Sequence, residues 1–276
     1  MRRAFYWVLP VTAAAIAMVA FAAGFISYLR GDLGEPVTLA PRSTSSTPPR
    51  GILSPLVMGD SLARGAGDES GLGISGRLLE ELHNRRILTR NVANIAINGA
   101  RTGDVLQQLE SHNVREVVAQ ANVIVLSIGA NDLWTDNHWR AGTPRDPEGV
   151  MKTVLDRVDK IVRTLRQLSP KSRIFVIGLY NPYGKGPLGP ILTMFVNRWN
   201  AMLTQRFAND PNVVVVETYD IFAFRDRLSF DRFHPKDEGY AAIARRIADA
   251  LSSRPERTST APGSATLRRR SRLRSR

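Results

Sequence analysis

Five short apolar runs, Ile52–Met58, Asn91–Ile97, Val123–Ile128, Ile174–Leu179 and Val213–Glu217, are what most limits the folds open to this chain. Each is too short for a helix and rich in Val, Ile and Leu, so each reads as a strand buried on both faces. Between and after them lie amphipathic helical patterns at roughly 73–86, 103–120, 147–168, 190–208 and 236–252. Strands alternating with helices call for an α/β fold, a parallel sheet with helices on both faces. Right-handed crossovers then bring all five strand C-termini to one edge, where open sheets of this class bind ligands.

Small and polar residues collect at that edge. Gly59-Asp60-Ser61-Leu62 follows the first run, Asn98-Gly99-Ala100 the second and Gly129-Ala130-Asn131-Asp132 the third. Asp231-Arg232-Phe233-His234-Pro235 lies past the fifth, just before the last helix. Ser61 is placed as a nucleophile, and a serine hydroxyl needs a base at neutral pH. Of the four histidines, His83 falls in a helix among charged residues, His112 near a helix break and His138 in a polar loop beside Trp139. His234 is therefore the candidate base. Asp231, three residues before it, can reach Nδ1 and leave Nε2 for Ser61. Asp237 also lies three residues away but follows Pro235 and is expected to face solvent or the helix N-terminus. Donors for an oxyanion are at hand in the backbone N–H groups of Ser61 and Gly99 and the side-chain amide of Asn131. Gly99 is expected to permit close backbone approach.

These four blocks, in this order, resemble the SGNH hydrolases, also called the GDSL lipase/acylhydrolase family. The resemblance spans roughly 51–252 and departs at Ile97-Asn98-Gly99, where many relatives carry Ser before the Gly. It implies a three-layer α/β/α sandwich of the flavodoxin-like type and hydrolysis of esters or thioesters without metal or cofactor. Ser61 would be the nucleophile, Asp231 and His234 its triad partners, and Ser61, Gly99 and Asn131 the oxyanion hole. Tyr180-Asn181-Pro182 after the fourth run is further similar to membrane-associated bacterial GDSL lipases of spore-formers. Two other motifs are set aside. Gly71-Leu72-Gly73-Ile74-Ser75-Gly76 fits G-x-G-x-x-G but follows no strand and has no acidic residue about 20 positions on, so it reads as a helix-entry loop. Ala63 stands where a G-x-S-x-G elbow needs Gly, which points to a looser strand-to-loop serine.

Outside 51–252 the composition changes. Residues 4–29 carry no charge and are mostly apolar, long enough for a membrane-spanning helix. Residues 1–30 are thus expected to be an anchor, with a cleaved signal peptide ending near Ala20-Phe21-Ala22 as the alternative. Arg2 and Arg3 precede the run and Arg30 follows it, which leaves the N-terminus in the cytoplasm and the domain outside. Residues 31–50, rich in Pro, Ser and Thr, read as a disordered tether. Residues 253–276 hold eight Arg against Glu256, and residues 1–50 five Arg against Asp32 and Glu35. Of the net charge of +13, only +3 therefore belongs to 51–252. The basicity sits at the ends, so no nucleic-acid partner is expected. The Arg-rich tail reads as a disordered extension, or as a contact for anionic lipid or cell-wall polymer. There is no cysteine, hence no disulfide or thiol nucleophile.

The segments 134–145 and 183–195 are the longest insertions on the active edge. Trp134, Trp139, Tyr183, Leu188, Ile191, Leu192, Met194 and Phe195 offer an apolar lining for an acyl chain, or else 190–195 is the buried face of a helix. A lipid-like acyl ester is the expected substrate. A cell-wall polysaccharide O-acetyl esterase and a non-catalytic tethered binding protein are the alternatives.

Overall fold

The computed structural model describes residues 51–135, 146–184, 189–223 and 225–252, together with Thr12, Ala14 and residues 16–23. Five parallel strands form one sheet: β1 Pro55–Gly59, β2 Ala93–Asn94, β3 Val123–Ser127, β4 Arg173–Ile177 and β5 Val213–Val216, in the order β2-β1-β3-β4-β5. The helices are α1 Ser61–Arg64, α2 Gly73–Asn84, α3 Thr102–Gln108, α4 His112–Gln120, α5 Ala130–Thr135, α6 Pro147–Leu168, α7 Gly189–Phe207 and α8 Asp237–Ser252, with a 3₁₀ turn at Arg225–Arg227.

Alternation along the strands divides the apolar residues between two cores. Leu56, Met58, Ile124, Leu126, Ile174 and Val176 face α3 to α7. Val57, Val123, Val125, Phe175, Ile177 and Val216 face α1, α2 and α8. The expected three-layer α/β/α sandwich with a five-stranded parallel sheet is what the chain forms. Because β1 pairs with β2 on one side and β3 on the other, chain direction across the sheet reverses there. A crevice opens at such a switch point, outside the strand C-termini.

Differences from the sequence reading are local. The second run pairs only over Ala93–Asn94, at the sheet edge beside β1, and is not buried on both faces as expected. The pattern 103–120 is two helices; Leu109, Glu110 and Ser111 break it, and His112 opens the second. Residues 16–23 are helical and exposed, while most of the expected anchor lies outside the described residues, as do the tether and the Arg-rich tail. Among the described residues no helix is long and apolar enough to cross a membrane.

Candidate active site

Ser61 does not sit in a loose strand-to-loop link, as its sequence context suggested, but opens the one-turn helix α1. Asp60 makes that turn possible: its extended backbone ends β1 and its side chain caps α1 by accepting from the Leu62 N–H at 3.1 Å. The turn must clear β3, and Gly59 solves this. Its φ is +126°, and a Cβ there would fall 1.8 Å from the Ser127 carbonyl oxygen. The Asp60 N–H donates to that same oxygen at 2.9 Å, and the Ser127 hydroxyl donates to the Asp60 carboxylate at 2.9 Å.

His234 Nε2 lies 2.9 Å from Ser61 Oγ, and His234 Nδ1 lies 2.6 Å from Asp231 Oδ2. The three side chains expected to act together are thus joined in one hydrogen-bonded relay. Asp231 reaches the ring from an irregular turn rather than the helical type of turn inferred from its spacing. Arg232 takes a left-handed φ of +55°, which folds the segment back. The other carboxylate oxygen accepts from the Ser229 hydroxyl at 2.6 Å and from the N–H groups of Phe233 and His234. Partial burial pushes the Asp231 carboxyl up. The Ser229 hydroxyl, the imidazole and the two backbone donors outweigh this and hold it well below the usual carboxylate range. Asp237 stands in the first turn of α8, away from the relay.

Tyr180 and Gly67 hold the 229–235 loop in place, and neither was singled out from sequence for this task. The half-buried Tyr180 phenol donates to the Phe233 carbonyl at 2.7 Å, and desolvation raises its ionisation well above the ordinary value, so it stays a donor. Gly67, with φ +87°, lets the segment after α1 pass against His234. The Tyr180-Asn181-Pro182 motif carried a hint of Tyr180. Gly67 had no signal beyond being one glycine among 21.

On the other flank, Asn131 Nδ2 donates to the Ala100 carbonyl at 2.9 Å, which seats this amide against the loop that carries Gly99. The same loop is pinned by Asp132, 5% exposed, which accepts from the Thr102 N–H at 2.9 Å and from its hydroxyl at 2.5 Å. Gly99 takes a φ of +77°, which favours glycine, and a Cβ there would meet no protein atom within 4 Å, so the space over it is open.

Between the relay and Asn131 a narrow recess of about 40 Å³ is lined by Trp134, Leu179, Tyr180, Pro182 and Phe233. Of the expected lining, Trp134 alone among the described residues borders the recess. Phe195 packs behind Trp134, ring centroids 5.4 Å apart. Leu192 is buried in the core, whereas Tyr183, Ile191 and Met194 are exposed outside it. Trp139 and Leu188 lie outside the described residues. Of the remaining histidines, His83 is exposed on α2 and His112 pairs with Glu116 at 3.1 Å on α4; His138 also lies outside the described residues. The Gly71–Gly76 stretch is the entry to α2, tied by Asp68 to the N–H groups of Ser70 and Gly73. Among the described residues no group of three or more His, Asp or Glu side chains is arranged to hold a metal ion.

Comparison with known proteins adds an independent line. The model of the GDSL-like lipase/acylhydrolase family matches residues 57–242. The uncharacterized protein YpmR of Bacillus subtilis is 28% identical over 203 residues, covering 70% of this chain and 79% of that one. The spore germination lipase LipC of Bacillus licheniformis is 26% identical over 216 residues, covering 72% and 96%. Among solved structures, the lipase Lip_vut3 from a goat rumen metagenome shares the fold with a TM-score of 0.65 and 23% identity, covering 74% of this chain and all of that one. The acetylxylan esterase Axe2 of Geobacillus stearothermophilus does so with 0.54 and 19%, covering 75% and 97%. The chain belongs to the GDSL-like lipase/acylhydrolase family and is an ester-hydrolysing serine hydrolase.

Proposed function

We propose that Ser61 is the nucleophile of a two-step acyl transfer from a carboxylic ester to water. Ser61 Oγ attacks the carbonyl carbon as His234 Nε2 takes its proton, while Asp231 holds Nδ1–H and the charge that forms on the ring. The carbonyl oxygen, now an oxyanion, is met by the N–H groups of Ser61 and Gly99 and the Asn131 amide. Collapse expels the alcohol, which leaves with the proton from His234. Water then attacks the acyl-Ser61 with His234 again as base, and the acid departs. The observation that carries this reading is the unbroken contact from Asp231 through His234 to Ser61, at 2.6 and 2.9 Å.

The acyl group fits the apolar recess, whose wall of Trp134, Leu179 and Pro182 supplies apolar contact worth about 25 cal/mol per Å² removed from water. A recess of about 40 Å³ takes only the first carbons of a chain. A longer, lipid-like acyl group would continue over Ile191 and Met194, exposed on the turns of α7 that also carry Phe195. The small recess equally favours a second reading, removal of acetyl groups from a cell-wall polysaccharide. A series of ethyl esters from acetate to octanoate separates them. Lipid-like specificity keeps or raises kcat/KM up to eight carbons, whereas a fall of tenfold or more from acetate to octanoate establishes the acetyl esterase. A membrane anchor at residues 1–30, with the domain outside the cytoplasm, belongs to the same proposal; its support is the uncharged run 4–29.

A further inference from the structure

Resting on that reading, we propose that the groove between Ile97 and Gln108 binds the alcohol half of the ester and selects a neutral polyhydroxy alcohol. The groove, about 440 Å³, is lined by Ile97, Asn98, Gly99, Asp104, Gln107 and Gln108. It is shallow and largely open to solvent, so it would cover one side of an alcohol rather than enclose it. Ala100, which also lines this groove, accepts from the Asn131 side chain at 2.9 Å, and Asn131 lines the recess beside Ser61, so the groove begins next to the recess.

Sheet order decides which half of the substrate lies here. Ser61 follows β1 and Asn131 follows β3. The groove lies past β2 on one side of them, and the Leu179–Pro182 wall of the recess lies past β4 on the other. An ester seated on Ser61 therefore sends one arm in each direction. The apolar arm goes to the Trp134 recess and the polar arm to the groove.

Chemistry narrows the polar arm. Three side-chain amides and a carboxylate offer the mixed donors and acceptors that hydroxyl groups require. No Lys or Arg is among the residues that line the groove, and Asp104 opposes a phosphate. Two of these side chains are fixed before any ligand arrives. Asp104 accepts from the Arg101 N–H at 2.8 Å, and Gln108 donates to the Ile95 carbonyl at 2.7 Å. Preorganisation of this kind lowers the entropy cost of binding. Gly99 adds room: its φ of +77° points the missing side chain into open space, so a residue larger than Gly would stand over the groove.

The test holds the butyryl group constant and varies the alcohol, with the full chain and four esters: ethyl, glycerol, glucose and glycerol-phosphate. The expected result is kcat/KM at least tenfold higher for glycerol or glucose than for ethyl butyrate, and lower again when phosphate is added to the glycerol. Which of the two polyols leads distinguishes a glycerolipid source from a polysaccharide. In Asn98→Ala and Gln107→Ala, both at exposed positions, the ratio of polyol to ethyl ester should fall about tenfold. A ratio near one in the unaltered chain, or unchanged in both variants, overturns the subsite while leaving the hydrolase intact. Absence of hydrolysis with all four esters overturns the catalytic reading, and the subsite with it.

Discussion

Asp60, next to the nucleophile, is 3% exposed and carries a carboxyl that burial pushes up to about 6, against the lowering effect of the Ser127 hydroxyl and nearby backbone N–H groups. An unfolded aspartate ionises near 3.8, so between these values the folded chain holds a proton that the unfolded chain has lost. Raising pH through this window therefore favours unfolding. The cost grows from about pH 4 to 6 and is complete above, about 3 kcal/mol by the size of the shift. Asp60→Asn keeps an N-cap and removes the titration. Its stability relative to the unaltered chain, measured by urea unfolding at pH 4, 5, 6 and 7, should improve by that order across the series. A difference that stays flat with pH would refute the burial argument. Asp231 has the opposite sign. Its lowered carboxyl contributes stability above the usual carboxylate range that is lost as pH falls below it.

At the scale of elements, the relay depends on three segments far apart in sequence that meet behind His234. A methyl on Gly67 would lie 2.7 Å from the His234 Cβ, 2.8 Å from the Pro235 carbonyl oxygen and 2.9 Å from the Ser229 hydroxyl. None of these is the far end of a flexible side chain except the hydroxyl. Gly67→Ala should therefore displace the 229–235 loop and lower kcat by tenfold or more, with a smaller change in KM. An unchanged kcat would mean the loop tolerates the shift. The nucleophile was legible because it ends an apolar run, and a strand end on a parallel sheet has a known address; Asp231 and His234 were legible from their three-residue spacing just before the last helix and from the order of the four blocks. The supports were not. Gly67, Tyr180 and the Asp132–Thr102 contact owe their roles to partners tens to well over a hundred positions away, and local pattern carries no information about such pairings.

At the scale of the whole molecule, the sheet follows from the apolar runs: β1, β3 and β4 are buried almost throughout and have no polar face to obscure them, whereas β2 is not buried. What sequence blurred was one edge: β2 pairs with β1 alone and over two residues only. The two apolar cores together draw on residues from Leu53 to Leu251. Residues 51–252 alone should accordingly unfold in one cooperative transition and keep kcat/KM for a soluble short ester within about twofold. The full chain should sediment with membranes and the 51–252 fragment should not. Loss of cooperative unfolding in the fragment would place part of the core outside it, and a soluble full chain would remove the anchor.

The central claim is chemical, and one reaction addresses it: treatment of the full chain with a fluorophosphonate, followed by mass analysis of its peptides. The account predicts a single adduct, on Ser61, absent in Ser61→Ala and slowed by at least a hundredfold in His234→Ala. An active chain that takes up no label, or whose label persists in Ser61→Ala, would contradict it.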